Sequence, residues 1–247
     1  GVLPRSKGYV YESGLHVLLI IYIPPKWKNL IPGSIGDRID GFIRFIDLAP
    51  TVLNLAGVDI PEAIDGKPFL GKDVLTKELS TRNTVFSYAD RFDEKYDLVR
   101  AWRKDKYKYI RNYQPFNIDG LFNFYRYRML AYQELKVMHK AGELNPSQQL
   151  FFKKRPVEGL YDLEKDPDEV NNLASDSNYQ EILLELRGEL KNHVKKMPDL
   201  SFYPENYFLE YGLDNPVQFG QNKKLEISRL VDIADLSLES FVRVEKK

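Results

Sequence analysis

The segment from His16 to Ile23 is the feature that most constrains the fold of this chain. Its positions are apolar almost without interruption, and Pro24-Pro25 ends the run. A strand without a polar face is typical of a parallel sheet that is covered on both sides. The run is also shorter than the ~20 apolar residues that span a bilayer. The sequence therefore predicts a buried strand of an α/β sheet and no membrane span.

Composition excludes several classes of protein. Of the 247 residues, 43% are hydrophobic and 29% are charged, which is typical of a globular chain and not of a disordered one. The formal net charge is zero, which argues against bulk attraction to nucleic acid. The chain contains no cysteine, so a disulfide framework and a thiolate metal site are both excluded. It begins with Gly inside a loop-like segment, which indicates a true amino terminus further upstream.

Residues 1–80 have the pattern of the closing part of an α/β layer. A second strand is predicted at Ile39–Phe45, and a helix follows that Asp47 caps and Gly57 ends. The residues expected on the inner face of this helix are Val52, Leu53 and Ala56.

A small antiparallel sheet with packed helices is predicted for residues 81–200, and an extended and then helical tail for residues 201–247. The predicted strands are Thr84–Tyr88, Leu98–Arg103, Tyr107–Tyr113 and Gly159–Leu163. The predicted helices are Leu121–Lys140, a short one opened by Asn145-Pro146, one that begins with a capping box of Ser177 and Gln180, and Lys224–Leu236. The fold class is therefore α/β (α+β) in three parts.

Residue patterns alone show no complete active site. The three histidines are far apart in the sequence, and no spacing of His, Asp or Glu suits a metal. The loop from Tyr88 to Asp97 is the best candidate for substrate recognition, because Asp90 and Arg91 stand among aromatic residues and Arg91 offers a fork for a carboxylate or sulfate. A solvated loop held by salt bridges explains the same residues equally well. Arg103 could line the path of a polyanion, or it could simply solvate the sheet.

Several motifs of the chain resemble those of the sulfatase family, within the alkaline-phosphatase-like superfamily. The motifs are Lys7-Gly8-x-x-Tyr11-Glu12-Ser13-Gly14, Asp47–Gly57, Asp65-Gly66-Lys67-Pro68, Val99–Arg103, Tyr107–Ile110 and Leu160–Ala174. Together they cover most of residues 1–197, and the tail carries no motif that resembles the family.

The resemblance implies a fold and an activity. The fold would be the end of an alkaline-phosphatase-like α/β core followed by a small antiparallel-sheet subdomain. Members of the family hydrolyse sulfate esters or sulfamates with a formylglycine nucleophile and a bound Ca²⁺. Neither the nucleophile motif nor the family's metal-ligand pairs occur in this chain, so we expect it to be the carboxy-terminal portion of a sulfatase and inactive alone. The implied partners are a missing amino-terminal sulfatase segment and a sulfated carbohydrate such as a glycosaminoglycan fragment, and the implied location is periplasmic or secreted.

Roles for single residues also follow from the resemblance. Lys7 would be catalytic, contacting the sulfate group, whereas a lysine in a loop is otherwise usually a solvated side chain. The candidate substrate-binding residues, Asp90, Arg91 and Arg103, come from the residue patterns described above and not from the resemblance. Glu12 is expected to be a buried hydrogen-bonding carboxylate, Gly14 a turn with positive φ, and His16 a packing residue.

Two other functions fit the same sequence. A phosphoester or phosphonate hydrolase of the same superfamily would share the core, since a pocket for sulfate tolerates phosphate. A carbohydrate-binding or structural module without catalysis is the alternative from another class.

Overall fold

The structure is a computed structural model that describes residues 4–245, with side chains for residues 4–239. Its contacts divide the described chain into two compact units. One unit combines residues 4–17 with residues 86–245, and the other consists of residues 18–85. The predicted division into residues 1–80, 81–200 and 201–247 stays a prediction.

Four strands form one sheet in the order β1-β2-β3-β4. The strands are β1 Thr84–Ala89, β2 Val99–Lys104, β3 Tyr107–Asn112 and β4 Glu158–Asp162. β2 and β3 are antiparallel with Ala101 opposite Ile110, and β3 and β4 are antiparallel with Tyr109 opposite Leu160. These strands confirm the sequence prediction, because each end differs from the predicted one by at most one residue. Asp105 takes a φ of 51° in the turn between β2 and β3.

The helices lie before, between and after the strands. They are α1 Glu12–Leu15, α2 Leu48–Leu55, α3 Thr76–Ser80, α4 Phe124–Tyr127, α5 Leu130–Ala141, α6 Pro146–Gln149, α7 Gln180–Lys196, α8 Glu205–Tyr211, α9 Pro216–Asn222 and α10 Lys224–Glu245. Among residues 4–245, none of the helices is long and apolar enough to cross a membrane.

The two faces of the sheet carry different hydrophobic cores, because side chains alternate along each strand. On one face, Val99, Ala101 and Ile110 pack with residues 9–11 and with α5. On the other face, Tyr109 and Leu160 pack against α7 and α10. The sheet unit is therefore layered, and the segment before α1 belongs to one of its layers.

The helices of the sheet unit confirm some predictions and correct others. The helix predicted after Ser177 is confirmed as α7, in which Leu183, Leu186, Leu190 and Val194 are buried. The capping box at Ser177 is wrong, because Asp176 caps a 3₁₀ turn over Ser177–Tyr179 that leads into α7. The single helix at Leu121–Lys140 is also wrong, because Met129 has extended backbone between α4 and α5.

The unit of residues 18–85 has a small core in which Phe69, Val74 and Leu79 are buried. The strands predicted at His16–Ile23 and Ile39–Phe45 are both wrong, since neither segment forms a strand and Phe45 begins a 3₁₀ turn. A strand requires a neighbouring strand for its backbone hydrogen bonds, and the described residues of this unit supply none to these segments.

The helix predicted after Asp47 is confirmed as α2, with Gly57 following it at a φ of 70°. Asp47 does not cap α2 through its side chain. Its carboxylate instead accepts from the backbone N–H groups of Arg44 at 2.8 Å and Lys67 at 2.9 Å. Val52 was expected on the inner face but is exposed, and Thr51 is the buried residue beside it.

Candidate functional site

The backbone at Lys7 is fixed by an arginine from α4. Nη2 of Arg126 donates to the carbonyl oxygen of Lys7 at 2.9 Å. Gly8 follows with a φ of 82°, a conformation that favours glycine. A Cβ atom on Gly8 would lie 2.6 Å from Nη2 of Arg126 and 3.3 Å from the ring of Phe92. Glycine at this position therefore lets the arginine and the phenylalanine approach the turn closely.

Arg126 is buried and also holds the residues after the turn. Its Nη1 donates to the hydroxyl oxygen of Tyr9 at 2.8 Å. Its guanidinium carbon lies 4.2 Å from the centre of the Tyr9 ring and 4.7 Å from that of Phe92. Cation–π contacts of this length favour the charged group in a site with little water.

Asp119 anchors the two tyrosines that follow the turn. The hydroxyl of Tyr9 donates to the backbone oxygen of Asp119 at 2.6 Å, and that of Tyr11 donates to the Asp119 carboxylate at 3.0 Å. Arg5 adds an ion pair to the same carboxylate at 3.3 Å. Burial raises the pKa of both tyrosines above the ordinary value of 10.0, so they stay neutral donors.

Glu12 joins the end of this segment to the sheet. Its carboxylate lies 2.5 Å from Nη1 of Arg103 and 3.0 Å from Nζ of Lys108. The Lys108 ammonium is buried and also lies 3.1 Å from the carboxylate of Glu169. Glu169 in turn accepts from the backbone N–H of Glu12 at 2.6 Å. Burial raises the pKa of Glu169 above 4.5, and the positive charge of Lys108 opposes that shift.

The side chain of Lys7 itself is exposed. Its Nζ lies 5.7 Å from the centre of the Tyr125 ring, close to the ~6 Å limit of a cation–π contact. The turn thus combines a fixed backbone with an accessible ammonium group, an arrangement that can bind an anion without reorganising the main chain.

The loop from Asp90 to Asp97 lies against this turn, because Phe92 packs on Gly8. The loop is closed by a backbone bridge between Phe92 and Lys95. Lys95 is buried and lies 3.1 Å from Asp97, which also receives two hydrogen bonds from Arg155. The loop is therefore a constrained segment beside Lys7.

The predicted substrate-binding residues of this loop already have protein partners. Asp90 accepts from the buried Arg100 at 2.6 Å and from the hydroxyl of Ser201 at 2.9 Å. Arg91 makes two hydrogen bonds of 2.5 Å to the carboxylate of Glu205 on α8. These are the contacts of a loop held by salt bridges. Substrate binding by either residue stays a prediction.

Arg103 lies at a different place from these two residues. Its guanidinium pairs with Glu12 and donates to the backbone oxygen of Asp105 at 3.0 Å. It therefore shares Glu12 with Lys108 at the end of the segment that carries Lys7. The structure joins Arg103 to that segment, and its role in binding substrate stays a prediction.

Comparison with known proteins adds to this geometry. The sequence model of the family described as "N-sulphoglucosamine sulphohydrolase, C-terminal" matches residues 5–126. A ulvan-active sulfatase of Formosa agariphila is 38% identical over 207 residues, which are 83% of this chain and 33% of that protein. The chain belongs to the sulfatase family.

Other sulfatases align in the same way. An arylsulfatase of Clostridium perfringens is 25% identical over 80% of this chain and 33% of its own length. An N-acetylglucosamine-6-O-sulfatase of Bacteroides thetaiotaomicron is 26% identical over 78% of this chain and 27% of its own length. A solved 2-O GAG sulfatase superposes with a TM-score of 0.35 at 24% identity, over 61% of this chain and 24% of that one. The chain thus spans about a third of the length of the curated relatives.

The sulfatase motif from Lys7 to Gly14 can now be compared with the structure. Glu12 is a hydrogen-bonding carboxylate, as predicted, but it is partly and not fully buried. Gly14 does not have positive φ, so that prediction is wrong; it lies in α1, where a Cβ atom would be 2.3 Å from the carbonyl oxygen of Ser6. The packing role of His16 is also wrong, because its side chain is exposed and lies 4.0 Å from Glu12.

The sulfatase segment has no metal site of its own in the part described. Among residues 4–239, no three His, Asp or Glu side chains come together in a way that could hold an ion. The described side chains therefore do not fit a resident Ca²⁺.

Three residues that hold the Lys7 turn were missed by the sequence interpretation: Asp119, Asn123 and Arg126. The side chain of Asn123 caps α4 by accepting from the backbone N–H of Arg126 at 3.0 Å. The asparagine before a short aromatic stretch was the available signal, since Asn is a favoured N-cap. The predicted long helix concealed it by placing Asn123 and Arg126 inside one continuous element.

Proposed function

We propose that this chain is the carboxy-terminal portion of a sulfatase that hydrolyses sulfate esters, or sulfamates, of sulfated carbohydrates. The family match and the named relatives support the reaction class. The substrate class draws on a ulvan-active sulfatase and an N-acetylglucosamine-6-O-sulfatase among those relatives. The observation that carries the proposal is the exposed ammonium of Lys7 on a turn whose backbone is fixed by Arg126.

The role of Lys7 follows from the charge that develops during hydrolysis. Cleavage of a sulfate ester leaves negative charge on the sulfate oxygens and on the departing alcohol. An ammonium group that already faces the sulfate stabilises this charge without moving the backbone. Formylglycine and Ca²⁺ would supply the nucleophile and further positive charge, and we propose that both are held by residues outside this chain.

The exposed apolar run supports an amino-terminal sulfatase segment as partner. Leu18, Ile20 and Tyr22 are 85%, 80% and 80% exposed in the described chain. Neighbouring large apolar residues exposed together indicate a surface that another segment covers. We propose that the missing part of the enzyme packs on this run and that the run becomes a strand there.

The proposed location is periplasmic or secreted. The support is analogy with the sulfatase family and the proposed polymeric sulfated substrates, which a cell meets outside its cytoplasm. Fractionation of the native cells with an antibody to this chain tests the location, and recovery in the cytoplasm would contradict it.

The test of the function uses the full-length protein. Lys7→Ala should lower kcat for an aryl sulfate about 100-fold, the size of effect expected when one group that stabilises transition-state charge is lost. Because the Lys7 side chain is exposed, the melting temperature of the Lys7→Ala variant should equal that of the parent. Lys153→Ala is the matched control, since Lys153 is also exposed and outside the family motifs.

Three results would overturn this function. Turnover of aryl phosphate well above that of aryl sulfate would favour a phosphoester hydrolase. Equal activity of Lys7→Ala and Lys153→Ala would remove Lys7 from the reaction. Hydrolysis by the 247-residue chain alone would show that the chain needs no further segment.

A further inference from the structure

Tyr125 forms an aromatic surface beside the Lys7 ammonium. Its ring is 49% exposed on α4, and Nζ of Lys7 lies 5.7 Å from the ring centre. Phe92 contacts the ring edge-on, with 6.2 Å between the ring centres and an angle of 69°. One part of the ring is thus supported by protein while another part remains accessible.

The helix that carries Tyr125, α4, is fixed by hydrogen bonds of its neighbouring residues. Asn123 is fully buried, and its side chain donates to the backbone oxygen of Phe92 at 3.0 Å while it caps α4. Glu94 accepts from the backbone N–H of Phe124 at 2.5 Å. Arg126, next to Tyr125, holds the Lys7 carbonyl oxygen. The ring and the ammonium are therefore positioned by one connected set of hydrogen bonds.

Such a pair matches the two chemical features of a sulfated sugar. A pyranose ring has an apolar face of C–H groups, and an aromatic ring offers a large apolar surface to cover it. The sulfate requires a cation, which Lys7 supplies. The distance between ammonium and ring is near the outer end of the cation–π range, so the ammonium is free to turn toward an anion.

We propose that Tyr125 is a substrate-binding residue whose ring stacks on the sugar that carries the sulfate. Phe92 is the residue that orients it. The proposal rests on the proposed function and deepens it, because it assigns recognition of the sugar and recognition of the sulfate to two adjacent side chains. Tyr125 thereby distinguishes a sulfated sugar from a bare sulfate ion.

The experiment compares a sulfated monosaccharide, N-acetylglucosamine 6-sulfate, with inorganic sulfate in the full-length protein. Tyr125→Ala should weaken binding of the sugar, measured by calorimetry, about tenfold, the scale of one lost aromatic contact. The affinity for inorganic sulfate should not change. Tyr125→Phe should bind the sugar as the parent does, because the ring remains.

Phe124→Ala is the matched control for α4. Phe124 is exposed on the same helix, and its ring faces Arg128, with 5.7 Å between the ring centre and the guanidinium carbon. The control should bind both probes normally. An equal loss in Phe124→Ala, or an equal loss of sulfate affinity in Tyr125→Ala, would overturn the proposal.

A second measurement separates this proposal from the proposed function. Lys7→Ala should weaken binding of both probes, whereas Tyr125→Ala weakens binding of the sugar alone. If the protein binds neither probe, the proposed function and this inference both fail. If the sugar binds and Tyr125→Ala binds it equally well, only the inference fails.

Discussion

Two apolar stretches that lie close together in the sequence have opposite environments. Tyr9 and Tyr11 are 5% and 9% exposed, because their rings join a hydrophobic core and their hydroxyls reach Asp119. Leu18 and Ile20, a few residues further along, are mostly exposed. An apolar sequence pattern therefore shows that a segment has side chains to bury. Only the structure shows whether the described residues bury them.

The largest expected effect comes from removing the anchor of the buried segment. Asp119→Ala should lower the free energy of unfolding by about 3–5 kcal/mol, because it leaves buried cations without their carboxylate. Urea denaturation of the 247-residue chain measures this. Asp214→Ala, at an exposed acid of the same unit, is the control and should change little. A loss below ~1 kcal/mol for Asp119→Ala would show that the network does not stabilise the segment.

A smaller effect is expected at the turn of Lys7. Gly8→Ala should destabilise the chain by about 1–2 kcal/mol, because alanine is strained at the positive φ and its Cβ would crowd Arg126. The control is Gly188→Ala in α7, where nothing lies within 4 Å of the added atom. There alanine should stabilise the helix by up to ~1 kcal/mol. If both substitutions stabilise, the turn does not require glycine.

The buried ion pairs also predict a dependence on pH. Burial alone would raise the pKa of Asp97, but hydrogen bonds and charge from Arg155, with Lys95, outweigh it and hold that pKa below 3.8. A carboxylate with a lowered pKa contributes stability that is complete above the unfolded value and is lost as the pH falls. The free energy of unfolding should therefore decrease as the pH falls below 3.8.

Asp97→Asn tests whether Asp97 causes this decrease in the free energy of unfolding at low pH. The variant should show a shallower decrease over the same pH range, measured by urea denaturation at each pH. If the free energy of unfolding of the variant decreases as steeply as that of the parent, other carboxylates cause the decrease.

The smallest effect is expected in the exposed run. Ile20→Lys should change the stability of this chain by no more than ~0.5 kcal/mol, because the side chain is already in water. In the full-length protein, the same substitution should cause a large loss, since the proposed partner segment would bury a charge there. Equally small losses of stability in the 247-residue chain and in the full-length protein would contradict the proposal that a partner segment packs on this run.

The sheet could be predicted from the sequence because its partners are local. β2 and β3 form a hairpin with alternating side chains and polar turn residues, and each end was placed within one residue. The strand predicted at His16–Ile23 is absent from the structure, because an apolar run does not reveal whether a neighbouring strand is available to pair with it. The break between α4 and α5 was missed since no Pro or Gly marks it.

The candidate site was predictable in part. Lys7 and Glu12 were found through a motif in the sequence. Arg126 and Asp119 were not, because they lie more than a hundred residues away and only folding brings them to the turn. For Arg91 the sequence left open both an anion-binding role and a salt bridge, and it did not identify the partner Glu205, which lies in the tail, where no motif was available.

Arg126 also links two events that would otherwise be independent. Its guanidinium supports the carbonyl oxygen of Lys7 on one side and faces the ring of Phe92 on the other. Arg126 therefore gives the Phe92 loop and the Lys7 backbone a shared contact, through which a ligand on one could change the binding at the other. By thermodynamic reciprocity, if a ligand on the loop changes the affinity of the Lys7 ammonium for an anion, the anion changes the affinity of the loop for that ligand by the same factor.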